Sequence, residues 1–281
     1  VREAAAGGDA GPAGLTVAPG KKAAKSAKKV ITPLRPVPKS PEGAAARAIA
    51  ATEPVAPKKR PGRTARPTSP ERVAAILDAL RKTYPGVVCA LNHHNAWELT
   101  VATILSAQCT DVRVNIVTPD LFRAFPTPAA MAKATLPELE ELIRTTGFYR
   151  NKAKSILGAA KLVSGEYGGE IPQTMEEMLR IPGVARKTAN VVLGSWFGIA
   201  SGVVVDTHVL RLSRRLELTK ESTPEKIEKD LEKILPKDRW IAFSHELIHH
   251  GRQICIARKP RCADCTLETL CNSIEKTWSS H

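Results

Sequence analysis

Leu179-Arg180-Ile181-Pro182-Gly183-Val184-Ala185-Arg186-Lys187-Thr188-Ala189 reads as the end of one helix, a tight turn and the start of another. Pro182 and Gly183 interrupt the helical pattern, and Gly183 supplies the positive φ that a residue with a side chain resists. Backbone N–H groups at the start of the second helix have no partner within it, so Gly183 and Ala185 frame a site for an anion such as a DNA phosphate. A plain packing corner between two helices uses the same turn chemistry. Lys187, one turn into the new helix of a basic chain with a four-cysteine group, sets this corner apart.

Working outward, the 281 residues are 43% hydrophobic, enough for one or two ordinary cores without covalent staples. Lys and Arg outnumber Asp and Glu 42 to 28, a formal charge of +14. Such a balance points to a polyanionic partner, with nucleic acid the leading candidate, although ribosomal and membrane-surface proteins share it. The charge is uneven: residues 1–69 hold 14 Lys and Arg against 4 Asp and Glu. Residues 1–68, rich in Ala, Pro, Gly and Lys and free of aromatics, read as a disordered basic tail. It is either a salt-sensitive phosphate attractor or a solvated extension without further role.

No apolar stretch near the first residues suits a secretory signal, so the expectation is a cytoplasmic protein with no membrane partner. The longest apolar run, Val191 to Val205, is broken by Gly194, Ser195, Gly198, Ser201 and Gly202. It falls short of the roughly 18 to 20 residues of a membrane span and reads as a buried segment.

Ser69-Pro70-Glu71 carries an N-cap, a first-turn proline and an acid ahead of Val73, Ile76, Leu77 and Leu80 at helical spacing. Helical stripes follow at about 95–107, 110–125, 136–146 and 150–166. Thr174 caps Met175 to Arg180, and further helices fall near 207–217, 224–235 and 239–250, the second with Thr223 as cap. Nothing alternates with strand period, so the class is all-α.

Cys255-x6-Cys262-x2-Cys265-x5-Cys271 places four thiols within 17 residues. In a reducing compartment clustered thiols bind metal more often than they pair as disulfides. Four thiolates suit tetrahedral zinc or a four-iron, four-sulfur cluster, and having only one close pair leans toward iron–sulfur. Cys89 and Cys109 stand apart as small buried hydrophobes. Between the first two ligands, Arg258, Lys259 and Arg261 lie on a loop tethered at both ends, set against phosphates or simply basic surface.

Taken together, these residues resemble the helix-hairpin-helix DNA glycosylases, and within them the bacterial endonuclease III family. The resemblance covers residues 70–277 through Leu105-Ser106-Ala107-Gln108-Cys109-Thr110-Asp111, Thr146-Gly147-Phe148-Tyr149, the hairpin with Lys187-Thr188-Ala189-Asn190, Val205-Asp206-Thr207-His208, His250-Gly251-Arg252 and the four cysteines. It implies a [4Fe-4S] cluster on Cys255, Cys262, Cys265 and Cys271. It also implies a two-domain protein: a helical bundle over 89–200 with the hairpin, and a cluster domain from 69–88 and 201–281; a monomer is the expectation, on no motif of its own.

The implied activity is bifunctional: removal of oxidised or ring-saturated pyrimidines from duplex DNA, then cleavage of the abasic site by β-elimination. Lys187 is the implied nucleophile, and because a free lysine titrates near 10.4, only about one in a thousand is neutral near pH 7. Asp206 is implied to accept the lysine's proton or stabilise the cationic sugar; from the residues alone it is an N-cap. The resemblance further implies that Gln108 fills the gap left by a flipped nucleotide and that Phe148 wedges the opposite strand, although a lone Phe after Gly147 also suits a core. The chain departs from the family at Ala185, where the hairpin most often has a second glycine. Two alternatives stand beside this reading: an adenine-specific relative, which lacks the hairpin lysine, and a non-catalytic DNA-binding module.

Overall fold

The Ser69 hydroxyl accepts from the Arg72 N–H at 3.4 Å and Pro70 takes the first helical position, which starts α1 over Pro70–Thr83. The structure, a computed structural model, describes residues 66–277, all within one unit of the chain, Pro54–His281. The expected disordered tail therefore lies, but for its last three residues, outside the described residues. After α1 come α2 (Ala96–Leu105), α3 (Asp111–Ala124), α4 (Pro128–Met131), α5 (Leu136–Ile143) and α6 (Tyr149–Glu166). Then follow α7 (Met175–Met178), α8 (Arg186–Ser195), α9 (Thr207–Arg215), α10 (Pro224–Ile234) and α11 (Trp240–Gln253). No strand occurs among the described residues, in keeping with the all-α expectation.

Two apolar cores form. Leu99, Leu105, Leu121, Leu139, Ile143, Ile156, Met178, Ile181 and Leu193, from α2 through α8, make the first. Val73, Ile76, Leu80, Leu212, Ile227, Leu231, Phe243 and Leu247, from α1 and α9 to α11, make the second. The chain thus begins the second core, builds the first, and returns. At the centre of the first core α2 is buried on every face, and it packs against α3, α6 and α8. Truncating a buried leucine such as Leu99 to alanine costs about 2–5 kcal/mol, so α8 stands on a stiff support.

The observed elements correct several expectations. The α2 helix stops at Leu105 because the chain turns left-handed at Gln108, and 144–146 tightens into a 3-10 turn ahead of Gly147. The α7 helix is a single turn that ends before the hairpin, and α4 was not foreseen. Thr223 occupies the cap position of α10 but makes no capping hydrogen bond. Val191–Val205 is not one buried segment: α8 ends at Ser195, Trp196 is 42% exposed, and Gly198 turns the chain at φ +69°. Cys89 and Cys109 are half-buried, packed against the first core rather than within it.

Candidate active site and metal centre

The hairpin turn rests on α6. Gly183 has φ +83°, and a Cβ there would lie 2.7 Å from Ser155 Cβ, so both conformation and space demand glycine. Gly158 of α6 meets the Pro182 ring in turn. Ala185 is extended at φ −94° and ψ 171°, a conformation that needs no glycine, so the departure from the family pattern leaves the hairpin intact. Ala185 offers no side-chain acceptor to α8, whose first turn holds Arg186 and an exposed Lys187.

What fixes this helix start was not legible in the sequence. Arg186 Nε donates to both carboxylate oxygens of the buried Glu228 on α10, at 3.2 and 3.0 Å. Asn190 Nδ2 donates to Glu228 Oε1 at 2.9 Å, and its Oδ1 accepts from Ser201 Oγ at 2.8 Å. The hydrogen bond to Glu228 holds the Arg186 guanidinium above its ordinary value. A Cβ on Gly202 would lie 2.1 Å from Glu228 Oε1, so only glycine lets the chain pass. The network pins α8 to the second core and brings the segment leading to Asp206 against it. Gly202 and an acid next to an apolar stripe position were the available signals, and neither names its partner.

Asp206 caps α9: Oδ1 accepts from His208 N and Val209 N, both at 2.8 Å, and Oδ2 stays outside these bonds. Burial depresses the neighbouring His208 imidazole against the opposing pull of Asp206. Gly251 lets α11 approach α9 closely, since a Cβ there would be 2.9 Å from His208 Nδ1. Arg252 ion-pairs with Asp111 at 2.6 Å, tying α11 to the start of α3. The segments Leu105–Asp111 and His250–Arg252, both quoted above from the sequence, thus meet in one ion pair.

Gln108 and Phe148 are both exposed, Phe148 at 65%, and both left-handed, with φ of 52° and 48°. Lys259 shares that conformation at φ 51°, and Arg258 and Lys259 are exposed. Arg261 differs from its neighbours: it is exposed but ion-paired with Asp264 at 2.9 Å, which reduces its availability to a phosphate. Arg215 braces this loop from within, donating to Ile256 O at 2.8 Å and Ala257 O at 3.0 Å.

Cys255, Cys262, Cys265 and Cys271 line one cavity and none is in a disulfide. Each sulfur has an N–H neighbour: Arg215 Nη1 to Cys255 at 3.3 Å, Thr277 N to Cys262 at 3.4 Å, and backbone N–H groups of Leu267 to Cys265 and Ser273 to Cys271. His250 Nε2 also lies 3.4 Å from Cys265 Sγ. Burial pushes the Cys265 thiol up to about 12, so uptake of a metal there displaces a proton. Among the described residues no three His, Cys, Asp or Glu side chains converge to hold one metal ion. Four soft sulfurs around a shared cavity, each met by an N–H donor, suit a thiolate-ligated metal centre, either one tetrahedral ion or an iron–sulfur group.

Residues 101–237 match the family described as HhH-GPD superfamily base excision DNA repair protein. Endonuclease III of Synechocystis is 55% identical over 205 residues, covering 73% of this chain and 94% of the relative. That of Escherichia coli K12 is 40% identical over 201 residues, covering 72% and 95%. A solved non-covalent endonuclease III–DNA complex superposes with TM-score 0.69 at 41% identity over 73% of this chain and 95% of that one. A trapped endonuclease III–DNA covalent intermediate gives the same TM-score and identity, over 73% and 96%. At 40–55% identity over nearly the whole of these relatives, and with the family match over residues 101–237, the chain belongs to the endonuclease III family of HhH-GPD base excision DNA repair proteins.

Proposed function

We propose that the chain is a bifunctional DNA glycosylase and abasic-site lyase acting on oxidised or ring-saturated pyrimidines in duplex DNA. The observation that carries this reading is an exposed Lys187 in the first turn of a helix with no side-chain cap, pinned by Arg186 to the element behind it. A trapped covalent intermediate of a relative 41% identical to this chain supports it.

The Lys187 amine, having lost a proton, forms a C–N bond to the sugar's anomeric carbon. The glycosidic C–N bond breaks and the base leaves with the electron pair and a proton. Asp206, with Oδ2 outside its capping bonds, accepts the lysine's proton or stabilises the cationic sugar. The bond from the anomeric carbon to the ring oxygen then breaks, the oxygen takes a proton, and the opened sugar is an iminium that acidifies the adjacent carbon; removal of that proton breaks the C–O bond to the 3′ phosphate, and water then releases the lysine. Gln108 enters the space left by the flipped nucleotide and Phe148 wedges the opposite strand, roles that their exposure supports. The Gly183–Ala185 turn and Arg258 and Lys259 hold phosphates, Arg261 less so because of Asp264.

Cys255, Cys262, Cys265 and Cys271 would hold a [4Fe-4S] cluster, which supplies a structural brace for the basic loop rather than a reacting centre. The two cores support a division into a bundle domain over 89–200 and a cluster domain from 69–88 and 201–281. No helix among the described residues is long and apolar enough to cross a membrane, and the bacterial relatives support action in the cytoplasm.

The test is a nicking assay on duplexes with a defined ring-saturated pyrimidine, run with borohydride trapping and a visible absorption spectrum. The expected result is strand cleavage, a trapped adduct and a broad iron–sulfur band. Base release with intact strands would make the enzyme monofunctional, and binding without turnover would make it a DNA-binding module.

A further inference from the structure

Lys152 lies in the second half of the first turn of α6, is 5% exposed, and takes no part in the chemistry above. No carboxylate pairs with it among the described residues. Its ammonium donates instead to two backbone carbonyls, Leu105 O and Thr146 O, both at 2.8 Å. A buried cation without a counter-ion is costly, and desolvation pulls this one below its ordinary value. A position near a helix start is also the wrong end of the dipole for a cation. The fold tolerates both costs at one residue, and the acceptors show what is gained.

Leu105 is the last residue of α2, where carbonyls lack intrahelical partners and carry the negative end of the dipole. Three residues on stands Gln108, left-handed at φ 52°. Thr146 closes the 3-10 turn ahead of Gly147, and two residues on stands Phe148, left-handed at φ 48°. Non-glycine residues hold that conformation only where the surroundings impose it. Phe148 has no capping side chain beneath it, although the N–H groups of Asn151 and Lys152 bond its carbonyl at 3.1 Å. The ammonium therefore anchors both short segments at their roots, one from each side.

We infer that Lys152 is a positioning residue that locks the Gln108 and Phe148 loops to each other, so that gap filling and strand wedging act as one device. This rests on the roles given to Gln108 and Phe148 above. Lys152 touches neither DNA nor the reacting atoms; it fixes where two probing side chains stand relative to one another.

Lys152→Met in the full-length, cluster-loaded protein removes the ammonium and keeps most of the stem. Two duplexes are compared. One carries a paired lesion, which must be flipped and its partner supported. The other carries an abasic site opposite a second abasic site, where no base is levered out and no partner is orphaned. The expected result is that the ratio of single-turnover rates, lesion over double-abasic, falls about tenfold, as loss of a charged hydrogen-bonded clamp permits. Gln108→Ala and Phe148→Gly should each lower the same ratio. Combined with Lys152→Met, each should lower it by less than the product of the single effects.

Equal loss on both duplexes at matched melting temperature and cluster absorbance overturns the inference, because it marks a general structural role. An unchanged ratio for Lys152→Met, with the ratio reduced for Gln108→Ala and Phe148→Gly, overturns it while leaving the roles of those two residues standing. An unchanged ratio for Gln108→Ala and Phe148→Gly instead refutes their roles, and the inference with them. Should Lys152→Met be unfolded at assay temperature, Lys152→Gln, with a shorter neutral donor, carries the same comparison.

Discussion

Lys187 and Asp206 stand at the starts of two helices, α8 and α9, that are built in opposite ways. At α9 the carboxylate takes two backbone N–H groups on one oxygen, and an acid lies at the positive end of the dipole. At α8 the cap residue is Ala185, and the first turn carries two cations and no acid. Such a start forgoes about 1 kcal/mol relative to a Ser, Thr or Asp cap. Lack of a cap is no mark by itself, since α10 and α11 also start without one. At α8 it coincides with a glycine turn at φ +83° and an exposed lysine, while Glu228 holds the first cation from behind. The difference separates two kinds of helix start: α9 satisfies two of its own donors with a carboxylate held still, and α8 has no side-chain cap on its donors.

The largest effect expected from this contrast is at Lys187. Lys187→Ala should reduce borohydride trapping and strand cleavage to background while leaving damaged-duplex binding within about threefold, since one exposed cation among several is lost. Persistent trapping would make another amine the nucleophile. Asp206→Asn comes next, because asparagine caps a helix about as well as aspartate but lacks the charge. Cleavage should fall about 10²- to 10⁴-fold with the melting temperature nearly unchanged. Asp206→Ala should lose the same activity and about 1 kcal/mol of stability, or roughly 2–4 °C. If Asp206→Asn cleaves normally, the carboxylate is a cap and nothing more.

Giving α8 the kind of start that α9 has is the sharper test. In Ala185→Ser the hydroxyl can take the N–H of Lys187 or Thr188, so the protein should gain about 1 kcal/mol and melt roughly 2–4 °C higher. If those N–H groups bind a phosphate, duplex affinity should drop about three- to tenfold at fixed salt, as one backbone contact is lost. A stabilised variant with unchanged affinity would show that the bare start holds no phosphate.

Much of this contrast was legible beforehand because it rests on local chemistry. Ser69 and Asp206 each act within three residues of themselves, and the positive φ at Gly183 is local to its turn even though the space it leaves for Ser155 is not. The misplaced ends, such as the single turn of α7, come where the tertiary setting outweighs the stripe. The support beneath the site was hidden for a different reason. Glu228 meets Arg186 across 42 residues, Asp111 meets Arg252 across 141, and Lys152 meets Leu105 across 47. A charged residue that ends up buried looks, in the sequence, like any solvated one. The cysteines fall between these cases: spacing grouped them, and Leu267 and Ser273 serve Cys265 and Cys271 from two residues along, but the Arg215 beside Cys255 comes from α9, 40 residues away.

The smallest effect concerns the residue that departs from the family. If the hairpin needed a second positive φ, Ala185→Gly would relieve strain and tighten DNA binding. The observed φ of −94° gives no such strain to relieve. Glycine is a somewhat better cap than alanine but adds freedom to the unfolded chain, so the two effects offset and stability should shift by no more than about 0.5 kcal/mol. Duplex affinity should stay within about twofold, because the backbone N–H groups are the same in both forms. A tenfold gain in affinity would mean that the bound hairpin adopts a conformation alanine resists, and that the open start of α8 is completed only when DNA is present.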